Sequence, residues 1–439
     1  MLSLTKSLFS VALQLPLAAA LAVVLVAGTA PQARALDIPH TLHHGKSRLV
    51  EPHHAARHAA QAHAAPTNSS PKATARSAEK SAPKAAGTRR GRAVRASLSH
   101  VKHHSYERFT ASSFVETQGQ GDITAGEDPT IRAAAIEALG NMNGTAVVIN
   151  PANGRILAMV NQKLALSPGA EPCSTIKLTV GMAALSEGLI TRDTPVDLGG
   201  FRMNLTEALA HSNNLFFEEM GRELGFERVR HYATQFGLGE LAGYHIAGEQ
   251  LGTYPDQEIP AKEGGVGRMC SFGQGVSLTP LQLGAYVAAI ANGGTLYYLQ
   301  HPTTPGEVAG FTPRIKRKLE IAKYIPDMQD GMAGAVEYGT ARSLRVNFHE
   351  LPVFGKTGTC SDKGTRFGWF ASFSDSPMGS LVTVFFLEGG RPVFGPRAAE
   401  LTGLFYRSLW DHNYFADKGP VQAENHAVPQ SSEAQQLAR

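Results

Sequence analysis

Ser174-Thr175-Ile176-Lys177 places a hydroxyl and an amine three residues apart, on one face of a helical turn. A serine hydroxyl is a weak nucleophile until a neighbouring base takes its proton. A lysine amine does this only when neutral, which requires burial or a nearby cation to lower its pKa. The same spacing recurs at Ser3/Lys6, Ser69/Lys72, Ser77/Lys80, Ser81/Lys84 and Ser99/Lys102, where nothing in the surrounding sequence would desolvate a lysine. Only Ser174/Lys177 opens an amphipathic pattern, and unpaired N–H groups at a helix start favour developing negative charge. Two later stretches add to it. Ser212-Asn213-Asn214 offers a hydroxyl and an amide from one break between helical runs. Lys356-Thr357-Gly358-Thr359 ends a β-rich run and holds the chain's only Lys-Thr-Gly. Its lysine supplies positive charge and its threonines offer hydroxyls to a carboxylate. Gly358 reads as a place where substrate backbone comes close. Singly, each stretch has a plainer reading: Ser212 and Asn214 as helix caps, Lys356 as an edge-strand lysine.

These residues need a scaffold, and the pattern supplies one. Gly144–Asn150 and Arg155–Val160 are β-rich runs joined through Asn153-Gly154, a strong hairpin signal. Ser174–Glu187 reads as a helix with Ile176, Val180 and Leu185 on one face and Gly188 at its end. Leu205–His211 and Leu215–Leu224 read as two helices around the Ser212 break. Thr279-Pro280-Leu281-Gln282 carries a capping box and starts a helix that stops at Asn292-Gly293-Gly294. Leu351–Thr359, Arg366–Ser374 and Leu381–Leu387 read as strands, and Pro396–Trp410 as a closing helix. Strands at both ends around a helical middle give an α+β fold: an antiparallel sheet flanked by helices, with a helical subdomain.

The 439 residues, 43% hydrophobic and 18% charged, suit one large globular unit with polar extensions. The formal charge of +4 is unevenly spread: residues 36–110 carry 13 Lys/Arg against 4 Asp/Glu, leaving residues 111–439 at −7. That acidic balance disfavours a nucleic-acid enzyme. Residues 1–35 hold Lys6, an apolar run from Leu8 to Ala30 and Ala33-Arg34-Ala35, which reads as a cleaved export signal or a retained membrane anchor. Either reading places the rest of the chain in the periplasm or cell envelope. Residues 36–125 form a basic, His- and Ala-rich linker expected to be disordered, 126–415 the folded domain, and 416–439 a polar tail. The histidines at 43, 44, 53, 54, 58, 63, 103 and 104 lack the Cys or carboxylate framework of a defined metal site. They read as a solvated tether whose cations could meet anionic lipid or wall polymer.

The three motifs in this order resemble the penicillin-binding protein and serine β-lactamase superfamily. The stretches AVVINPANGRILAMV, GQGVSLTPLQLGAYVAAIANGG and GTARSLRVNFHELPVFGKTGTC sharpen the likeness to the transpeptidase domain of penicillin-binding proteins, over about residues 130–410. The resemblance implies Ser174 as nucleophile on a D-Ala-D-Ala carbonyl or a β-lactam ring, with Lys177 as its base. Ser212, assisted by Lys356, would pass a proton to the leaving amine. Asn214 would hold the acyl side-chain amide, and Thr357 and Thr359 the terminal carboxylate. The N–H groups of Ser174 and Thr359 would form the oxyanion hole. It implies peptidoglycan stem peptides and β-lactams as ligands, with no cofactor and no metal. Some carbapenem-hydrolysing relatives bridge the positions matching Cys173 and Cys360, so the resemblance implies that disulfide, with Cys270 left free. Two departures stand out: the Ser174–Ser212 interval is short, and no pedestal or glycosyltransferase domain precedes the motifs. A β-lactamase is the nearest alternative function, although no Glu-x-x-x-Asn element follows Ser212 to activate a deacylating water. A noncatalytic penicillin-binding sensor or wall scaffold is the third.

Overall fold

A computed structural model describes residues 108–376 and 379–417. The export signal, the linker as far as residue 107 with its histidines, and the tail from 418 lie outside the described residues. Five strands form one antiparallel sheet: β1 (Gly144–Asn150), β2 (Arg155–Val160), β3 (Val353–Asp362), β4 (Thr365–Ser374) and β5 (Val382–Gly389). Their order is β2-β1-β5-β4-β3, so strands from the early and late parts of the described region share the sheet and β3 forms an outer edge. The β1–β2 hairpin closes through Gly154 at φ +75°, a left-handed conformation that suits glycine.

Strand alternation sorts the core into two layers. Val147, Ile149, Trp369, Ala371, Val384 and Phe386 face one side. They pack with α2 (Lys177–Ser186), α4 (Asn214–Gln235, kinked at Gly225) and α6 (Pro280–Ala291). Ala146, Val148, Phe370, Phe385 and Leu387 face the other side, against α1 (Pro129–Leu139) and α8 (Gly395–Asp411). Helix α3 (Leu205–Ala210) lies against α7 (Ile325–Glu337), and α5 (Gly265–Phe272) against α4. Helix starts follow their capping residues: Asp128 caps α1, and Thr279 and Gln282 form the full capping box of α6.

Two expectations change. Ser174 does not begin an α-helix. Cys173–Ile176 form a 3-10 turn, and the α-helix begins at Lys177. Thr175 N–H and Oγ1 both bond Pro172 O, which tightens this turn. Residues 108–125 are also no linker. Thr110 N–H donates to Gly364 O at 2.8 Å, and Gly390 N–H donates to Ser113 Oγ at 2.7 Å. The Asp122 carboxylate accepts from the Asn161 and Gln162 N–H groups and from Arg132, which also pairs with buried Glu127. Polar contacts dock this segment, so apolar periodicity could not announce it.

Candidate active site

The turn that carries Ser174 is held from both sides. Cys173, immediately before it, has φ +52°, an uncommon conformation for a residue with a side chain. Cys173 is bonded to Cys360, which follows Thr359 at the far end of the Lys-Thr-Gly-Thr run, with Cα atoms 5.5 Å apart. The disulfide therefore ties the Ser174 turn to edge strand β3. Trp369 Nε1–H donates to Glu171 O at 3.0 Å, anchoring the turn's approach to β4. Cys270 is free and buried.

Residues three apart in a 3-10 turn lie one above the other, and this brings Lys177 Nζ to 3.0 Å from Ser174 Oγ. The same amine lies 2.8 Å from Ser212 O, 3.1 Å from Ser212 Oγ and 2.6 Å from Asn214 Oδ1. Ser212 adopts φ +55° in the break between α3 and α4. Asn213, not Ser212 or Asn214, caps α4: its Oδ1 accepts from Phe216 N–H at 3.0 Å. The capping duty falls on the middle residue, leaving the outer two for Lys177.

Lys356 reaches Ser212 from the opposite wall, Nζ to Oγ at 2.8 Å, and also donates to Thr357 O at 2.9 Å. Ser212 thus bridges the two lysines. Thr357 Oγ1 donates to Thr340 Oγ1 at 2.7 Å, and Thr359 Oγ1 accepts from Gly395 N–H at the start of α8, also at 2.7 Å. Gly358 is explained by the protein's own packing. A Cβ there would stand 2.9 Å from Pro172 O and 3.2 Å from Thr175, so the strand passes directly beneath the Ser174 turn. The protein's own packing against Pro172 therefore already calls for glycine at this position.

Both lysines are fully buried. Burial holds Lys177 well below the ordinary lysine range; the nearby Lys356 charge adds to this and Glu218 opposes it. Burial alone pushes Lys356 down to about 7. A neutral Lys177 in contact with Ser174 Oγ can take that hydroxyl's proton, and Ser212 offers a hydroxyl path between the two amines.

Ser174, Lys177, Ser212, Asn214 and Lys356 thus lie within one hydrogen-bonded cluster, and Thr357, Gly358 and Thr359 run along its wall. Thr340 escaped the sequence reading. Its signal lay in Gly339-Thr340-Ala341, a lone threonine hydroxyl with no partner evident in the sequence until the fold sets it against Thr357. The carboxyl of Glu171, three residues before Ser174, is raised by burial first and by Asp362 second.

The family description "Penicillin binding protein transpeptidase domain" matches residues 144–390. Stage V sporulation protein D of Bacillus subtilis is 31% identical over 257 residues, covering 49% of this chain and 39% of that protein. Peptidoglycan D,D-transpeptidase MrdA of Acinetobacter baumannii is 24% identical over 410 residues, covering 74% of this chain and 60% of that protein. The chain thus spans less than two thirds of the length of these curated relatives. Among solved structures, the transpeptidase domain of Burkholderia pseudomallei penicillin-binding protein 3 aligns with TM-score 0.55 at 19% identity, over 68% of this chain and 97% of that one. The D,D-transpeptidase domain of an Eggerthella lenta peptidoglycan glycosyltransferase aligns with TM-score 0.53 at 19% identity, over 65% and 82%. These likenesses concern the fold.

Proposed function

Because the chain belongs to the penicillin-binding protein transpeptidase family, we propose that it is a serine acyl-transferase acting on peptidoglycan D-Ala-D-Ala stem peptides. The observation that carries this reading is the contact between buried Lys177 Nζ and Ser174 Oγ at 3.0 Å, in an environment that favours the neutral amine. Ser174 Oγ attacks the penultimate D-Ala carbonyl as its proton passes to Lys177. The peptide C–N bond then breaks, and Ser212, backed by Lys356, delivers a proton to the departing D-Ala amine. The ester on Ser174 is resolved by an acceptor amine, giving a cross-link, or by water, giving a trimmed peptide. Asn214 holds the donor's acyl side-chain amide, and Thr357 and Thr359 bind its carboxylate. The free edge of β3 supports this pose, because an extended peptide can add to it as a further strand. Penicillin presents its strained amide to the same serine and forms a lasting acyl-enzyme.

Such a role requires export, consistent with the apolar run at 8–30. No helix among the described residues is long and apolar enough to cross a membrane.

The test is product analysis with diacetyl-L-Lys-D-Ala-D-Ala and a D-amino acid acceptor. Release of D-Ala with transfer or hydrolysis products, lost in Ser174→Ala, supports the reading. Rapid, continuous turnover of nitrocefin with no peptide product would replace it with a β-lactamase.

A further inference from the structure

A groove of about 660 Å³ is lined by Gly339, Thr340, Arg342, Ser343, Arg345 and Pro396, with Glu337 and Val346, and Thr340 joins it to the Thr357 hydroxyl proposed to bind the carboxylate. Its polar groups are almost all engaged within the protein. Thr340 Oγ1 meets Thr357 Oγ1, and Ser343 Oγ donates to Pro396 O. Arg345 pairs with Glu337 at 2.7 Å and donates to the Phe348 and Leu351 carbonyls. The exception is Arg342, exposed and with no hydrogen bond or ion pair from its guanidinium among the described residues.

The backbone that presents Arg342 is fixed. Thr340 N–H donates to Ala210 O at 3.1 Å, and Ala341 N–H donates to Ala335 O at 2.7 Å. A Cβ on Gly339 would stand 2.1 Å from Ala210 O, so the segment is packed hard against the end of α3. Ala341 and Leu344 on either side are fully buried. A rigid root therefore carries an unpaired guanidinium, whose planar fork matches a carboxylate. With Glu337 committed to Arg345, the groove has one uncompensated positive charge.

We infer that Arg342 and Thr340 form an anion subsite for a substrate carboxylate, adjoining the hydroxyl pair of Thr357 and Thr359. The inference rests on the acyl-transferase reading above. The carboxylate has two sources, the donor peptide's own terminus or an acidic acceptor, and both present the same chemistry to the arginine.

The experiment compares wild-type protein with Arg342→Gln and Arg342→Lys, after melting curves confirm equal stability. One arm measures the rate of Ser174 acylation by benzylpenicillin, which carries a carboxylate at the donor position. The other measures transfer of a thioester-activated acyl donor to D-glutamate against isosteric D-glutamine, which keeps the α-carboxylate and carries a neutral amide in place of the side-chain carboxylate. Loss of a charge-assisted pair corresponds to a change of about tenfold. Slower acylation in Arg342→Gln assigns the subsite to the donor carboxylate. Unchanged acylation with about a tenfold fall in the D-glutamate to D-glutamine ratio, partly kept in Arg342→Lys, assigns it to the acceptor. Wild-type values in both arms overturn the inference. Failure of the wild-type protein to acylate at all would instead overturn the acyl-transferase reading.

Discussion

In the proposed reaction Ser174, Lys177 and Lys356 act through proton positions, so their consequences are read as pH dependence. Acylation by this route requires neutral Lys177 and is therefore expected to rise with pH through that group's lowered pKa. The Lys356 charge helps keep Lys177 neutral. In Lys356→Met, which keeps the burial and removes the charge, the acid limb of the acylation profile moves to higher pH. Stability follows a second sign. Lys356 titrates at about 7 when folded and near the usual lysine value of about 10.4 when unfolded, so between these the unfolded chain holds the extra proton. The melting temperature is expected to rise with pH across that window, and Lys356→Met to flatten the rise. Much of this site was legible, because two lysines and two serines in three ordered motifs are chemically distinctive. The division of labour within Asn213-Asn214 was not. Two identical side chains differ only in where the helix start points them.

The elements matter because the Ser174 turn and β3 together carry the proposed catalytic groups. The Cys173–Cys360 bond closes a loop spanning 187 positions of sequence, and such links typically contribute about 2–4 kcal/mol. A Cys173→Ser/Cys360→Ser variant is expected to lose stability of that order in denaturant titration. Its penicillin acylation is also expected to slow, since the two residues adjoin Ser174 and Thr359, whose N–H groups the family resemblance implies for the oxyanion hole. By contrast, Thr279→Ala removes one half of a distant capping box. It should cost about 1 kcal/mol and leave the acylation rate unchanged. Strand and helix positions were largely readable from alternation and capping. The 3-10 geometry at Ser174 was not, because it arises from the disulfide, the strained Cys173 backbone and the Pro172 carbonyl acting together.

For the whole molecule, the segment before α1 is structural. Arg132 is mostly buried between Asp122 and Glu127, and Glu127 also meets His301 at 2.9 Å. Removing Arg132 leaves two buried carboxylates with one cation fewer, so Arg132→Met is expected to destabilise by about 3–5 kcal/mol in denaturant titration. A chain beginning at residue 128 should melt well below the full-length temperature, because the Asn161 and Gln162 N–H groups lose their Asp122 acceptor. Sequence reading placed the domain start at 126 because it followed apolar periodicity, whereas this segment is held by carboxylates and backbone hydrogen bonds.

The central claim is that Ser174 is a nucleophile activated by an uncharged neighbour. Intact-protein mass after exposure to benzylpenicillin tests it most directly. The expected result is one added penicillin per chain, mapped to the peptide containing Ser174, persisting for hours and absent in Ser174→Ala and Lys177→Ala. An unmodified mass, or an adduct that survives Ser174→Ala, would contradict it.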